Sequence, residues 1–210
     1  MTLTGRVPIE KGLDPQRTSR PATPGGGPDI AANRRAQKWS TRELAGRAVW
    51  EALRGPLFAW TPRPMWAWRR SILRLFGAKI GRQVHLHPTV RIAVPWNLSI
   101  ADEAAVGDCA ILYSLGPISI GKRVTISQNA HLCAGTHDHR RRDMALLKPP
   151  ITIEAGAWIC ADAFIGPGVT VSSESIVGAR AVVTKDVPSR VIVSGNPARV
   201  LAPRPEILDA

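Results

Sequence analysis

From Ile80 onward the aliphatic residues recur at intervals of six. One series is Ile80, Leu86, Ile92 and Leu98, and a second is Ile100, Val106 and Leu112. A third is Ile120, Ile126 and Leu132, and the last runs Ile153, Ile159, Ile165, Val171, Val177 and Val183. A helix repeats near 3.6 residues and a half-buried strand near two, so neither accounts for an interval of six. A short strand, a corner and a return to the same environment does. The aliphatic residue points into a shared core. A small residue often comes next, as in Ile80-Gly81, Val106-Gly107 and Ile120-Gly121, where a tight turn is expected. Three such sides close a triangular coil of about 18 residues, and stacked coils bury each inward row on the next. The pattern predicts an all-β solenoid.

A coarser repeat locates an interruption. Aliphatic pairs flank one polar residue at Leu98-Ser99-Ile100, Ile118-Ser119-Ile120, Ile151-Thr152-Ile153 and Val169-Thr170-Val171, so their last members are 20, 33 and 18 residues apart. One coil therefore carries a long insertion, expected at residues 138–152. Long loops on rigid scaffolds are where function concentrates.

The segment before the repeat has a different character. Ser40-Thr41-Arg42-Glu43 fits a capping box and predicts a helix start. Leu44, Ala48 and Leu53 are expected on one face of that helix, and Pro56, Pro62 and Pro64 interrupt the chain beyond it. A second helix carries Met65, Trp68, Ile72 and Leu75, with Arg69, Arg70 and Arg74 between them, and is predicted to be amphipathic and basic. Five of the seven tryptophans fall here: Trp39, Trp50, Trp60, Trp66 and Trp68. Tryptophan beside arginine suits a membrane interface, so residues 39–76 are candidates for peripheral membrane contact. The alternative is that they cap the end of the solenoid. Residues 1–38, with the run Pro21 to Pro28, lack apolar periodicity and predict a disordered basic tail whose removal leaves fold and activity intact. The expected organisation is a tail (1–38), a basic tryptophan-rich helical segment (39–79), the solenoid (80–187) and a C-terminal strand and tail (188–210).

Charge respects the same division. The net charge is +12, and residues 1–82 hold 16 Lys and Arg against 5 Asp and Glu. The remainder is nearly neutral, so the basic character belongs to the N-terminal segment. The apolar runs are too short to span a bilayer. Residues Met1 to Asp14 lack the apolar stretch of a secretory signal, and the expected location is cytoplasmic, at most against the inner face of the membrane. Cys109, Cys133 and Cys160 are odd in number and widely spaced, which favours free thiols over a disulfide or zinc site.

Several motifs then resemble one family. They are Pro62-Arg63-Pro64, Trp68-Arg69-Arg70, Leu75 to Gly81, Tyr113 to Ile118, Gly135-Thr136-His137-Asp138, Gly156-Ala157-Trp158-Ile159, Thr184-Lys185-Asp186 and Gly195 to Val200. Together they resemble the hexapeptide-repeat acyltransferases, and most closely the WcaF-like branch assigned to colanic acid biosynthesis. The resemblance covers about residues 60–201. It implies a left-handed parallel β-helix, here of about five coils preceded by short helices. It also implies a homotrimer with the active site between adjacent prisms, acetyl-CoA as donor and a sugar or lipid-linked saccharide as acceptor. No metal and no nucleic-acid partner are expected.

His137 stands at a corner just before the insertion. Imidazole titrates near neutrality and can take a proton from an attacking hydroxyl. The resemblance implies that role for His137. Asp138 and Asp143 are candidates to orient the ring, and Asp138 also to contact the acceptor. Ser114 stands where relatives often carry an acceptor-binding Asn. By resemblance Trp158 and Ala161 flank the pantetheine arm, Ser127 and Ala179 offer backbone contacts, and Thr184, Lys185 and Arg199 lie near the adenosine end. Arg140, Arg141 and Arg142 are candidates to meet an anionic acceptor. Three rival readings stay open: an antibiotic acetyltransferase, a zinc hydration enzyme using His131, His137 and His139, and a non-catalytic membrane-docked scaffold.

Overall fold

The computed structural model describes residues 27–206, and residues 1–26 and 207–210 lie outside it. Three parallel sheets form the faces of a triangular prism. Face one stacks Lys79–Ile80, Leu98–Ile100, Ile118–Ile120, Ile151–Ile153 and Thr170–Val171. Face two stacks His85–Leu86, Ala105–Val106, Thr125–Ile126, Trp158–Ile159, Ile176–Val177 and Val191–Ser194, and Arg199–Pro203 returns antiparallel against the last. Face three stacks Arg91–Ile92, Ile111–Tyr113, His131–Cys133, Phe164–Ile165 and Val182–Val183. A bridge from Val171 to Val187 continues face one, so five complete coils are succeeded by part of a sixth.

Each predicted aliphatic series winds around the prism, one residue to a face, and successive coils stack these residues into inward columns. Ile80, Ile100, Ile120, Ile153 and Val171 lie in register, and all are 8% exposed or less. Two further columns of small side chains fill the corners, one being Val90, Ala110, Ala130, Ala163 and Ala181, all buried. The glycines have a different purpose from the one expected. Gly81 and Gly121 lack a positive φ; a Cβ on either would sit 2.6 Å from a backbone nitrogen of the next coil, so these glycines permit close stacking. The left-handed corners are made instead by Gln83, Glu103, Arg123, Glu174 and Arg190, with Gly156 in the same column, and by a second column of Cys109, Asn129, Asp162 and Arg180.

The N-terminal segment solves an edge problem. In the interior coils, carbonyls at the positions of Ile80, Val84, Leu86 and Ile92 accept from the coil before; Gly81 N to Ile100 O and His85 N to Ala104 O are examples. The first coil has no predecessor, and unpaired buried carbonyls are costly. Helix α2 (Thr41–Arg54) and helix α3 (Trp66–Leu75) supply the donors. Arg74 donates to Ile80 O, Arg70 to Val84 O, Arg69 to Leu86 O, and Trp50 Nε1 to Ile92 O. The capping box at Ser40 is present as predicted. The arginines of α3 therefore direct their donors onto the first coil, which is the capping alternative for residues 39–76. Arg69 is fully buried, holds Pro62 O, Arg63 O and Thr61 Oγ1 as well, and lies against the Trp66 ring. Burial pushes its guanidinium pKa down from its ordinary value.

On helix α2 the residues expected on one face, Leu44, Ala48 and Leu53, all lie on the outward side. Trp50 faces inward, and Gly46 abuts the Trp96 ring. Leu44, Val49 and Leu53 are exposed. The predicted tail is also corrected in part. Residues 30–35 form helix α1 (Ile30–Arg35), capped by the Asp29 side chain. Contacts with the insertion order this stretch where its own apolar periodicity could not. The rest of the predicted tail, residues 1–26, lies outside the described residues.

Candidate active site

The insertion leaves the prism after the third strand of face three. Thr136–His137 pairs antiparallel with Leu146–Leu147, so residues 138–145 form the tip of a hairpin. Asp138 N donates to Ala145 O, and the Asp138 carboxylate accepts from Arg140 N, which fixes the turn. Met144 takes a left-handed φ of 43°, uncommon for a side chain of its size. Its carbonyl lies 2.6 Å from His137 Nδ1. A carbonyl can only accept, so Nδ1 carries the proton, and in the neutral ring Nε2 holds the lone pair. The ring's partner is thus the Met144 carbonyl and neither of the two candidate carboxylates. Asp138 braces the loop, and Asp143 pairs with Arg141 through two hydrogen bonds.

His137 is exposed and lines a cleft of about 500 Å³ with Asp138, His139, Arg140, Leu147 and Pro149. An imidazole with a free lone pair, at a cleft edge beside Arg140, can accept a proton from a bound hydroxyl. Ser114 is fully buried beyond the second strand of face three; its hydroxyl accepts from Val94 N and donates to Val94 O. It closes the preceding coil and has no surface to offer an acceptor, which corrects the expected contact.

The expected donor-site residues fall into two groups. Trp158 is on the outer side of face two, 44% exposed, and its Nε1 donates to Ser127 Oγ. Register places Ala161 and Ala179 in one corner column beside it. Thr184, Lys185 and Arg199 share a cleft of about 290 Å³ with Val193 and Val200 at the C-terminal end of the prism. Within one chain, His137 and Trp158 lie on different faces. Sequence reasoning missed Met144, whose carbonyl is a backbone group and leaves no side-chain signal.

The thiols of Cys133 and Cys160 are pushed up by burial, which disfavours thiolates there. His131 packs edge-on to Tyr113 and Phe164. Among the described residues no group of three or more His, Cys, Asp or Glu is arranged to hold a metal, and no helix is long and apolar enough to cross a membrane.

No family model matches the chain. It is 44% identical over 158 residues to the "Putative colanic acid biosynthesis acetyltransferase WcaF" of Escherichia coli (strain K12), covering 75% of this chain and 87% of that protein. Its fold matches a hexapeptide-repeat acetyltransferase of Vibrio cholerae O1 biovar eltor complexed with acetyl coenzyme A, with a TM-score of 0.73 and 26% identity, over 81% of this chain and 93% of that one. A galactoside acetyltransferase in complex with coenzyme A matches at a TM-score of 0.72 and 25% identity, over 83% and 88% of the two chains.

Proposed function

The chain belongs to the WcaF-like hexapeptide-repeat acetyltransferases, and from that premise we propose that it moves acetyl from acetyl-CoA to a saccharide hydroxyl with His137 as the general base. Membership makes the prism a left-handed parallel β-helix and the protein an acetyl-CoA-dependent acetyltransferase. The observation that carries the choice of base is the Met144 carbonyl, which leaves Nε2 of His137 as the basic nitrogen. The acceptor oxygen attacks the thioester carbon while Nε2 takes its proton. The tetrahedral oxyanion then collapses, the C–S bond breaks, and the coenzyme A thiolate leaves and recovers that proton. Transfer is direct. Burial raises the thiol pKa of Cys133 and Cys160, which disfavours either of these two as an acyl-carrying nucleophile.

The acceptor class is a sugar or lipid-linked saccharide of exopolysaccharide assembly, the reading favoured by the likeness to WcaF. Trp158, Ser127, Ala161 and Ala179 hold the pantetheine arm, and Thr184, Lys185 and Arg199 meet the adenosine end. The two outer rows support a trimer. Face one is polar along Lys79, Ser99, Ser119, Thr152 and Thr170, whereas the outer row of face three, Arg91, Ile111, His131, Phe164 and Val182, is apolar at three of its five positions. A neighbour docked there brings its Trp158 toward His137. The outward apolar face of α2, with exposed Trp60 nearby in sequence and the excess of Lys and Arg before residue 82, fits an anionic phospholipid surface.

The test is thiol release from acetyl-CoA with sugars, nucleotide sugars, lipid-linked sugars and antibiotics as acceptors. Release with saccharides alone is expected, and His137→Ala loses about 10²–10⁴-fold in turnover while still binding coenzyme A. Near-normal turnover in that variant overturns the base assignment, and preference for an antibiotic overturns the acceptor class. Light scattering checks the trimer. Flotation with vesicles of phosphatidylglycerol, compared with phosphatidylcholine and with Leu53→Glu, checks the membrane surface.

A further inference from the structure

Residues 27–39 touch the catalytic hairpin and almost nothing in the sequence announces it. Asp29 N donates to Arg142 O at 2.6 Å. Asn33 Nδ2 donates to Asp143 O and to Met144 O, both at 2.7 Å. Lys148 Nζ donates to Lys38 O at 3.0 Å and sits 3.4 Å from the centre of the Trp39 ring. The orientation of the Asn33 amide is set by its partners. Lys38 Nζ lies 2.7 Å from Oδ1 and can only donate, and the two carbonyls can only accept. The NH2 group must therefore face the hairpin.

One of those carbonyls is the group that orients His137. Met144 O has two lone pairs; Nδ1–H of His137 takes one and Nδ2–H of Asn33 the other. The residue that carries it holds a left-handed φ that a methionine does not favour. A clamp from a distant segment, 110 residues away along the chain, keeps that peptide turned toward the imidazole.

We propose that this segment is a strap and that Asn33 is a positioning residue for His137, acting through the Met144 carbonyl. The inference rests on His137 being the base. It reverses the expectation that residues 1–38 are dispensable for activity. When the strap is released, Met144 relaxes, the ring loses its fixed tautomer and direction, and proton transfer slows. Donor binding, which involves other faces of the prism, is unaffected.

The experiment uses the full chain and four variants: Asn33→Ala, Asn33→Gln, His137→Ala and the double variant Asn33→Ala/His137→Ala. Turnover, the KM for acetyl-CoA and thermal midpoint are measured for each. The expected result is a roughly 10-fold fall in kcat for Asn33→Ala, within the range by which misplacing a catalytic group slows a reaction. The KM for acetyl-CoA and the melting midpoint stay unchanged, and Asn33→Gln recovers part of the loss because it keeps both donors. The decisive readout is non-additivity: Asn33→Ala has no further effect once His137 is gone. An equal fall in both backgrounds, or a fall explained by lower thermal stability, overturns the positioning role. So does normal turnover in Asn33→Ala beside a dead His137→Ala. If His137→Ala is itself active, the base assignment fails instead, and the two failures are told apart.

Discussion

Arg69 offers the sharpest test of how the prism is closed. Its guanidinium donates to Leu86 O at 2.7 Å, to Pro62 O and Thr61 Oγ1 at 2.8 Å, and to Arg63 O, and its side chain has no exposed surface. Arg69→Met keeps most of the packing volume and removes every donor. Leu86 O is then buried without a partner, a loss of about 1–3 kcal/mol. Pro62 and Arg63 belong to an exposed turn, so water recovers part of their share. The expected total is about 2–4 kcal/mol, the orphaned Leu86 carbonyl plus about 1 kcal/mol for the remaining hydrogen bonds, because the partners are neutral and no charge is stranded. For a chain of this size each kcal/mol moves the melting midpoint by about 2–4 °C, so the variant should melt roughly 4–16 °C lower. Arg69→Lys keeps the charge but cannot reach Leu86 O and the 62–63 turn together, and should lose at least half as much. Arg82→Met is the control: its side chain is 88% exposed and its carboxylate partner is 3.9 Å away. Thermal and urea unfolding monitored by circular dichroism measure all three. An Arg69→Met protein within about 1 kcal/mol of the parent would refute the view that these arginines replace a missing coil.

The same structure sets three other outcomes. Trp158→Ala should raise the dissociation constant for acetyl-CoA about 10-fold by calorimetry, the worth of one aromatic wall; an unchanged constant removes Trp158 from the donor site. Gly116→Ala places a Cβ 2.4 Å from Lys148 O, so the returning limb of the insertion must move; a loss of about 1–3 kcal/mol and slower turnover are expected in melting and thiol-release assays. The hydrogen bond from Arg141, with the charge behind it, holds the Asp143 carboxyl below the usual carboxylate range. A depressed folded pKa gives stability that is complete above the unfolded value and lost as pH falls through the folded one. Melting of the parent and of Asp143→Asn should therefore differ by a constant amount from neutrality down to about pH 5 and converge only in stronger acid. Convergence already at neutral pH would contradict the ion pair.

The solenoid is legible because its physics is periodic. The inward residues from Ile80 to Val183 recur at spacing six around each coil, and the long coil betrays itself as a step of 33 residues between Ile120 and Ile153. Side chains that act through backbone groups leave no such trace. Arg69, Arg70 and Arg74 look like a basic helix face in one dimension, because nothing local says that the first coil has orphan carbonyls above it. Asn33 sits in a segment without apolar periodicity, and its significance exists only through Asp143 and Met144, more than 100 residues away. Ser114 misleads for a related reason: a small polar residue at a corner looks available until the coil before it is seen to use both its lone pair and its proton.

The row of carbonyls on the first coil also bears on how many coils such a protein can have. A parallel solenoid has no internal measure of its own length; each rung is as ready to receive another as the last. Here the count ends because Trp50, Arg69, Arg70 and Arg74 occupy the sites a further rung would use, and at the other end the antiparallel return of Arg199–Pro203 covers the final strand of face two. The two termini of the fold are thus a ruler and a guard. They set the height of the prism, and with it the position of the inserted hairpin along the axis, and they deny a second molecule the open edge from which end-to-end fibres grow.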